Sequence, residues 1–321
     1  MSQQNVPLLT ISPSVQESQD QVLISDAWSG QITEICREEL LDWMTAEFKK
    51  EPDNLSLIQR LESKGNFRGK EMEDKDIELV KHWWERKWFP SLEYYLWSRN
   101  YTKVPVTTAD LPNCIKPLGR VLRLPEPAKL SESSSLGKVL MNRRSTRTYS
   151  RRPVDLKVFS SVLWYGYQRV RQNKLEVTHS IGVSFDNYIV VYSVEGISPG
   201  IYYYDISEHA LILVREGEYR EEMYKNLMTQ SGPLTAGWTL FLVHDFVRFQ
   251  TAYPYEAAMR HLFIEAGRIM QPLLLVGTAN QLGGLVTPAI RDRKVSELMG
   301  LDIERQAPIY SITMGADWRM S

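Results

Sequence analysis

Two short turns fall among three apolar segments in the middle of the chain, and they restrict the kind of sheet it can build. Val183–Ser193 contains Tyr188-Ile189-Val190-Val191-Tyr192, which reads as a buried strand. A Gly/Pro turn at Gly196–Gly200 leads into a strand at Ile201–Tyr204, and Ser207-Glu208-His209 turns into another at Ala210–Val214. Connections this short make a hairpin, whereas a parallel pair needs a crossover of about a dozen residues or more. Helical periodicity surrounds these strands, so the chain reads as α+β and not as a strictly alternating βαβ repeat.

The other elements obey the same logic. Helical spacing predicts helices over Glu38–Lys49, residues 74–98 (broken at Pro90), Leu136–Asn142, Val154–Arg171, Glu218–Thr229 and Asp292–Met299. The longest helical pattern is residues 256–281, with Leu262, Ala266, Ile269, Met270, Leu273, Leu274 and Gly277 on one side and a kink expected at Pro272. Trp238–His244 and Ala307–Gly315 read as strands. The organisation expected is a flexible terminus over residues 1–25, a mainly helical region over 26–103, a proline-rich extended connector over 104–134 and the main domain over 135–321.

Composition narrows the function. Lys and Arg number 38 against 39 Asp and Glu, a balance that argues against a general nucleic-acid binder. No apolar run reaches the roughly 20 residues of a membrane span, and the polar N-terminus has no signal pattern. The two cysteines, Cys36 and Cys114, have no metal spacing and suit a reducing cytoplasm. The five histidines show no metal spacing either, so no metal site is expected.

Met141-Asn142-Arg143-Arg144-Ser145-Thr146-Arg147-Thr148-Tyr149 concentrates guanidiniums and hydroxyls. Arg presents a planar fork that matches a phosphate, and Ser or Thr adds short donors beside it. A phosphate-bearing ligand and a solvated basic stretch are both consistent with the cluster by itself.

From this cluster to the C-terminus the chain resembles the nitroreductase superfamily, and within it the SagB-type flavin oxidases that serve thiazole/oxazole-forming peptide synthetases. Arg143-Arg144-Ser145-Thr146-Arg147 resembles the family's opening Arg-Arg-Ser-x-Arg. Thr178-His179-Ser180-Ile181-Gly182 stands where the family has Pro-Ser-x-Gly-Gly. Val194-Glu195-Gly196-Ile197-Ser198-Pro199-Gly200-Ile201-Tyr202-Tyr203-Tyr204-Asp205, with His209-Ala210-Leu211 after it, is close to its Val-Glu-Gly-Leu-x-Pro-Gly-x-Tyr-x-Tyr-Asp. Arg260, Ile264-Glu265-Ala266-Gly267-Arg268 and Gln271 resemble its Arg-x-x-x-x-Glu-Ala-Gly-His-x-x-Gln helix, with Arg268 in place of His. The likeness covers about residues 135–321.

The resemblance implies a nitroreductase-like FMN-binding fold, a mixed central sheet flanked by helices, and a homodimer. It implies that Arg143, Arg144, Ser145 and Arg147 hold the FMN phosphate, joined by Arg319, which reads equally as a frayed C-terminal charge. Gly283 and Gly284 would let backbone N–H groups approach the flavin ring, although a helix C-cap explains a glycine there as well. Ser180, Gly182 and, more weakly, Asn187 would lie near the ring. The implied reaction is oxidation of azoline rings in a peptide substrate to thiazoles or oxazoles, beside a cyclodehydratase. The family places a Lys-Tyr pair just before the long helix; this chain has Ala252-Tyr253-Pro254-Tyr255-Glu256. No lysine is present in either register, and Tyr253 or Tyr255 is left to line the site. A Tyr of ordinary pKa near 10 is a poor base at pH 7. The alternatives are an NAD(P)H-dependent reductase of a small molecule and a non-catalytic subunit of a peptide-modifying complex.

Overall fold

In the computed structural model the chain divides into two units, Met1–Lys103 and Val104–Ser321. The structure describes residues 9–13, 21–26, 31–48, 82–83, 86–98, 115–128, 135–172, 185–255 and 257–317.

In the first unit, β1 (Leu9–Pro13), β2 (Gln21–Asp26) and β3 (Gln31–Cys36) form an antiparallel sheet in the order β1-β2-β3. Alternation explains the strands: Val22, Ile24, Thr33 and Ile35 are buried on one face, while Glu34 and Cys36 are exposed. Helix α1 (Arg37–Phe48) comes directly after β3, with Glu38 and Glu39 in its first turn, where unpaired N–H groups favour negative charge. Helix α2 (Phe89–Trp97) buries Leu92 and Leu96, one turn apart.

Two expectations need correction. Strands β1 and β2 lie where a flexible terminus is expected, and a sheet stands in a region expected to be mainly helical. The break expected at Pro90 is present: residues 86–88 are not helical and separate helical residues 82–83 from α2, and Pro90 stands in the first turn of α2, where its missing N–H costs no bond. Trp83 stacks on Tyr95 at 5.5 Å between ring centres, so these two aromatics pack on each other.

The second unit holds β4 (Val121–Arg123), α3 (Leu136–Asn142), α4 (Leu156–Gly166), α5 (Gln168–Gln172), β5 (Phe185–Val191), β6 (Gly200–Asp205), β7 (Ala210–Glu216) and α6 (Arg220–Asn226). Next come β8 (Trp238–Asp245), α7 (Phe246–Ala252), α8 (Ala258–Ala279), β9 (Leu282–Thr287), α9 (Asp292–Met299) and β10 (Gln306–Ala316). Seven strands form one sheet in the order β4-β7-β6-β5-β8-β10-β9, and each neighbouring pair is antiparallel. Among the described residues parallel pairing enters only at single bridges, Ser145 with Gly284 and Val154 with Val194.

The sheet is covered on both faces, which is why Tyr188–Val191 of β5 reads as an unbroken apolar run. Ile189, Val191, Trp238, Leu240, Leu242, Ile312 and Met314 pack with Phe159 and Leu163 of α4 and Leu273 and Leu274 of α8. Tyr188, Val190, Tyr192, Phe241 and Val243 pack with Met223 of α6 and Val295 and Met299 of α9. Gly166 lets α4 approach α8, since a Cβ there would come within 2.3 Å of the Leu273 side chain. Helix α4 is capped by Asp155, whose Oδ1 accepts from the N–H groups of Lys157 at 2.8 Å and Val158 at 3.0 Å.

Helix α8 continues through Pro272 and is long and apolar enough to cross a membrane by length and composition. In this fold it is a core helix, burying Leu262, Ala266, Ile269, Met270, Leu273 and Leu274.

Buried polar groups in this unit are tied into networks, among them those of Asp186 and His209. Asp186 accepts from the Tyr203 hydroxyl at 3.2 Å and from Gln306 Nε2 at 2.9 Å, and burial pushes its carboxyl up to about 6. His209, in a left-handed backbone conformation (φ 47°), places Nδ1 2.8 Å from the Tyr204 hydroxyl and Nε2 2.8 Å from Ser160 Oγ. Burial pushes His209 down to about 4, so it is neutral at pH 7.

Candidate functional site

The Arg-rich turn leaves α3 at Arg143 and is laid against the β9 edge of the sheet. The Thr146 N–H donates to the Gly284 carbonyl at 3.0 Å, and the Ser150 N–H donates to Ala316 O at 3.0 Å. The Tyr149 hydroxyl lies 2.8 Å from Thr146 O and 2.9 Å from Thr313 O, so one proton serves two carbonyls. Ser231 Oγ adds a bond to Arg147 O at 3.1 Å. Burial and the nearby Asp317 carboxylate push the Tyr149 phenol well above its ordinary range, which keeps its proton in place.

These ties leave the charges outward. Thr146 and Tyr149 are buried, whereas Arg144, Ser145 and Arg147 are exposed and Arg143 is half-buried. Among the described residues none of the three guanidiniums is in an ion pair. The Arg144 guanidinium donates only to the neighbouring carbonyl of Arg143, at 2.8 Å. Cationic donors held on a fixed backbone and not consumed internally are what a phosphate needs.

Beside the turn is a cavity of about 250 Å³. Its walls are Met141 and Asn142 at the end of α3, Arg144, Thr278 at the end of α8, Gln281, Leu282 and Gly283 at the start of β9, and Asp317 after β10. The two glycines are strand residues, not a helix cap; the cap of α8 is Asn280. A Cβ on Gly283 would come within 2.7 Å of the Thr146 side chain, and one on Gly284 within 2.7 Å of Leu274 Cδ2. Gly283 therefore lets the turn lie on β9, and Gly284 lets α8 pack there. The cavity is smaller than the ~300–1,000 Å³ usual for a ligand of drug size. It has room for part of a flavin, and the exposed Arg144 guanidinium and bare Gly283 backbone suit the phosphate end.

The structure gathers Arg144, Gly283 and the adjoining Arg143, Ser145, Arg147 and Gly284 into one place. It does not bring the tyrosines there. Tyr253, 8% exposed, stacks on Phe249 at 5.2 Å and meets Tyr255 edge-on at 6.2 Å. Burial, and then the Glu265 carboxylate, raise the Tyr253 phenol, so this hydroxyl keeps its proton at neutral pH and acts as a donor. Glu265 pairs with Arg268 at 2.7 Å. From Glu265 to Thr278 at the cavity is thirteen residues of α8, or about 20 Å. Asn187 is buried on β5, where its Oδ1 accepts from the Tyr167 hydroxyl, and it lines no part of the cavity. Ser180, Gly182 and Arg319 lie outside the described residues.

Sequence reasoning missed Asp317, Thr278 and Gln281 as cavity residues, and Tyr149 as the anchor of the turn. No spacing signals the first three, which come together only when α8, β9 and β10 are in register. Tyr149 had no periodic signal either, because residues three apart fall on opposite faces of an extended segment.

Residues 140–316 match the nitroreductase family, over half of the 321-residue chain. The trifolitoxin operon protein TfxC of Rhizobium leguminosarum bv. trifolii is 24% identical over 265 residues, which cover 74% of this chain and 74% of that protein. A protein of Methanocaldococcus jannaschii described as a candidate nitroreductase is 24% identical over 186 residues, covering 57% of this chain and 92% of its own. The crystal structure of a candidate nitroreductase from Anabaena variabilis superposes with a TM-score of 0.57 at 22% identity, over 69% of this chain. This chain spans 47% of the Anabaena protein, and that likeness is one of fold.

Proposed function

The chain belongs to the nitroreductase family, and on that footing we propose that it is an FMN-dependent oxidoreductase that tailors a peptide. In this reading a cyclodehydratase installs thiazoline or oxazoline rings, and this protein removes two electrons and two protons from each to leave the aromatic azole, in the cytoplasm. The observation that carries it is the turn with its exposed Arg144 and Arg147, pinned by Thr146 onto the glycine pair beside a cavity. Similarity to a trifolitoxin operon protein supports the choice of a peptide over a small molecule.

FMN, when bound, supplies the acceptor for the hydride. Arg143, Arg144 and Arg147 would hold its phosphate, with the Ser145 hydroxyl as a further donor. Gly283 keeps the wall of the cavity free of side chain, so that backbone groups are accessible there. Tyr253 retains its proton, which suits a hydrogen-bond donor that orients the ring being oxidised and does not suit the base.

The same reading takes the protein as a homodimer. One protomer's cavity is too small for a whole flavin, and Tyr253 is not among its walls. Helix α8 exposes Phe263 (56%) and Ile264 (58%), and α3 exposes Leu136, Leu140 and Met141, apolar surface suited to a second copy.

The test is the visible spectrum of the purified protein, then mass analysis of released chromophore. Oxidised FMN is expected, discharged by a heterocycle-bearing peptide and not by NADPH. Rapid bleaching by NADPH alone would instead indicate a reductase of small molecules. A protein that binds FMN but never passes electrons with either would indicate a non-catalytic subunit, the reading favoured by the missing lysine.

A further inference from the structure

The two edges of the seven-stranded sheet are finished differently. The arginine turn lies on β9, whereas no backbone bond among the described residues reaches the outer side of β4. Val121, Leu122 and Arg123 stand opposite Ile212, Leu211 and Ala210 of β7. The Leu213 N–H donates to Arg120 O at 2.9 Å and the Leu124 N–H to His209 O at 3.1 Å, so residues 120, 122 and 124 bond towards β7. The N–H and C=O groups of Val121 and Arg123 therefore point away from the sheet. This edge is held firmly. Gly119 brings the chain onto β7, since a Cβ there would come within 2.0 Å of Leu213 O. After the strand, Ser160 Oγ donates to Pro125 O at 2.5 Å and the Ala128 N–H donates to Ser161 Oγ at 2.9 Å. A strand fixed at both ends has already lost the freedom that binding would otherwise have to remove.

The side chains set the chemistry of a partner. Leu122 and Leu124 join the core, so Val121 (58% exposed) and Arg123 share the opposite face. Leu118, just before the strand, is 99% exposed. Arg123 comes only within 3.9 Å of Glu208, both being exposed, a contact worth little. Lys116 is taken up by Asp205 at 2.6 Å, while Arg120 is in no ion pair among the described residues. A second copy paired along β4 would bring Arg120 and Arg123 close to their own equivalents, and like charges repel. The edge suits carboxylates instead. We propose that β4 takes up an extended peptide segment as an eighth strand, with an apolar residue opposite Val121 and an acidic one, two positions away, opposite Arg123. Main-chain bonds supply the attachment, and the two side chains supply the selectivity. No flavin takes part, so the inference goes beyond the reading of the cavity.

The experiment uses the full chain and a capped, fluorescent, threonine-rich peptide carrying valine and glutamate two positions apart, followed by anisotropy at low salt. Binding should saturate at about millimolar protein or below. N-methylation of alternate peptide nitrogens should weaken it more than about tenfold in one phase and less than about twofold in the other. V121P removes an N–H that has no partner in the sheet, so the fold should stand while binding falls about fivefold or more. R123E should reverse the preference between this peptide and one with lysine for glutamate; if V121P does not fold, R123E carries the test. No binding by wild type, equal losses in both methylation phases, or an unreversed preference in R123E would overturn the proposal. A protein that binds the peptide but no flavin would leave it standing and sink the reading of the cavity.

Discussion

The Tyr149 hydroxyl is 2.9 Å from the carbonyl oxygen of Thr313, a residue 164 positions further along the chain. The same hydroxyl reaches Thr146 O, so one phenol fastens the arginine turn to the central part of β10. Replacing Tyr149 with Phe keeps the ring and strands two buried carbonyls. A loss of about 1–2 kcal/mol in urea unfolding is expected, together with weaker FMN binding. Unchanged affinity would show that the turn holds its shape without this tie.

Arg144 lines the cavity and, among the described residues, bonds only a neighbouring carbonyl. Arg144→Ala should leave folding within about 0.5 kcal/mol, because the side chain is exposed. It should weaken FMN by roughly tenfold or more through lost phosphate contact. Equilibrium dialysis with absorbance of bound flavin reads this directly, and full retention of flavin would contradict the phosphate assignment.

Gly283 and Gly267 make a contrasting pair. A methyl group at Gly283 collides with Thr146, while at Gly267 nothing lies within 4 Å. Gly283→Ala should cost about 1–3 kcal/mol by overpacking and displace the turn. Gly267→Ala, in the middle of α8, should stabilise an isolated protomer by up to about 1 kcal/mol through helix propensity. If two copies meet along α8, the added methyl should instead weaken their association in sedimentation velocity.

Asp186 and the buried histidines act oppositely on stability as pH changes. The Asp186 carboxyl titrates near 6 in the folded chain, above its ordinary value, so its contribution is lost as pH rises from about 4 through 6. His209 and His244 are pushed down to about 4 and about 3, so their contribution is lost as pH falls below 6.5. Asp186→Asn should gain about 2 kcal/mol near pH 7 relative to wild type, shrinking to nothing near pH 4. Chemical denaturation at four pH values between 4 and 7.5 tests this; a pH-independent difference would place the ionisation elsewhere.

Tyr253 sits against Phe249 with its phenol raised by burial and by Glu265. Tyr253→Phe should keep the stack and leave flavin binding unchanged, while slowing discharge by a heterocycle substrate if the hydroxyl orients that substrate. Stopped-flow reduction of bound flavin separates these two effects, and an unaltered rate would leave Tyr253 as packing.

Much of the larger unit was legible because its helices bury one stripe. Leu136–Asn142 and Asp292–Met299 were placed to the residue, as Val139, Val295 and Met299 set the inward face. Strand β9 was missed because Leu-Gly-Gly after a long helix looks like a cap; only contact with Thr146 and Leu274 explains two glycines inside a strand. Strands β1 to β3 were missed because their alternation lasts just two or three apolar positions amid Gln, Ser and Thr. The arginine turn was legible as chemistry, since residue types and spacing suffice for that. Its neighbours Asp317 and Gln281 were not, because proximity across β9 and β10 leaves no trace in local spacing.

Gly284 faces Met314 across β9 and β10, while Thr146 hangs from Gly284 and Tyr149 from Thr313. The guanidiniums therefore take their position from ladder alignment. If β9 and β10 slid by a single residue, the ties that hold the arginine turn would be displaced by about 3.3 Å, and the cavity walls would no longer meet as they do. Selection on binding would thus act as selection on pairing, even at strand positions that touch no ligand.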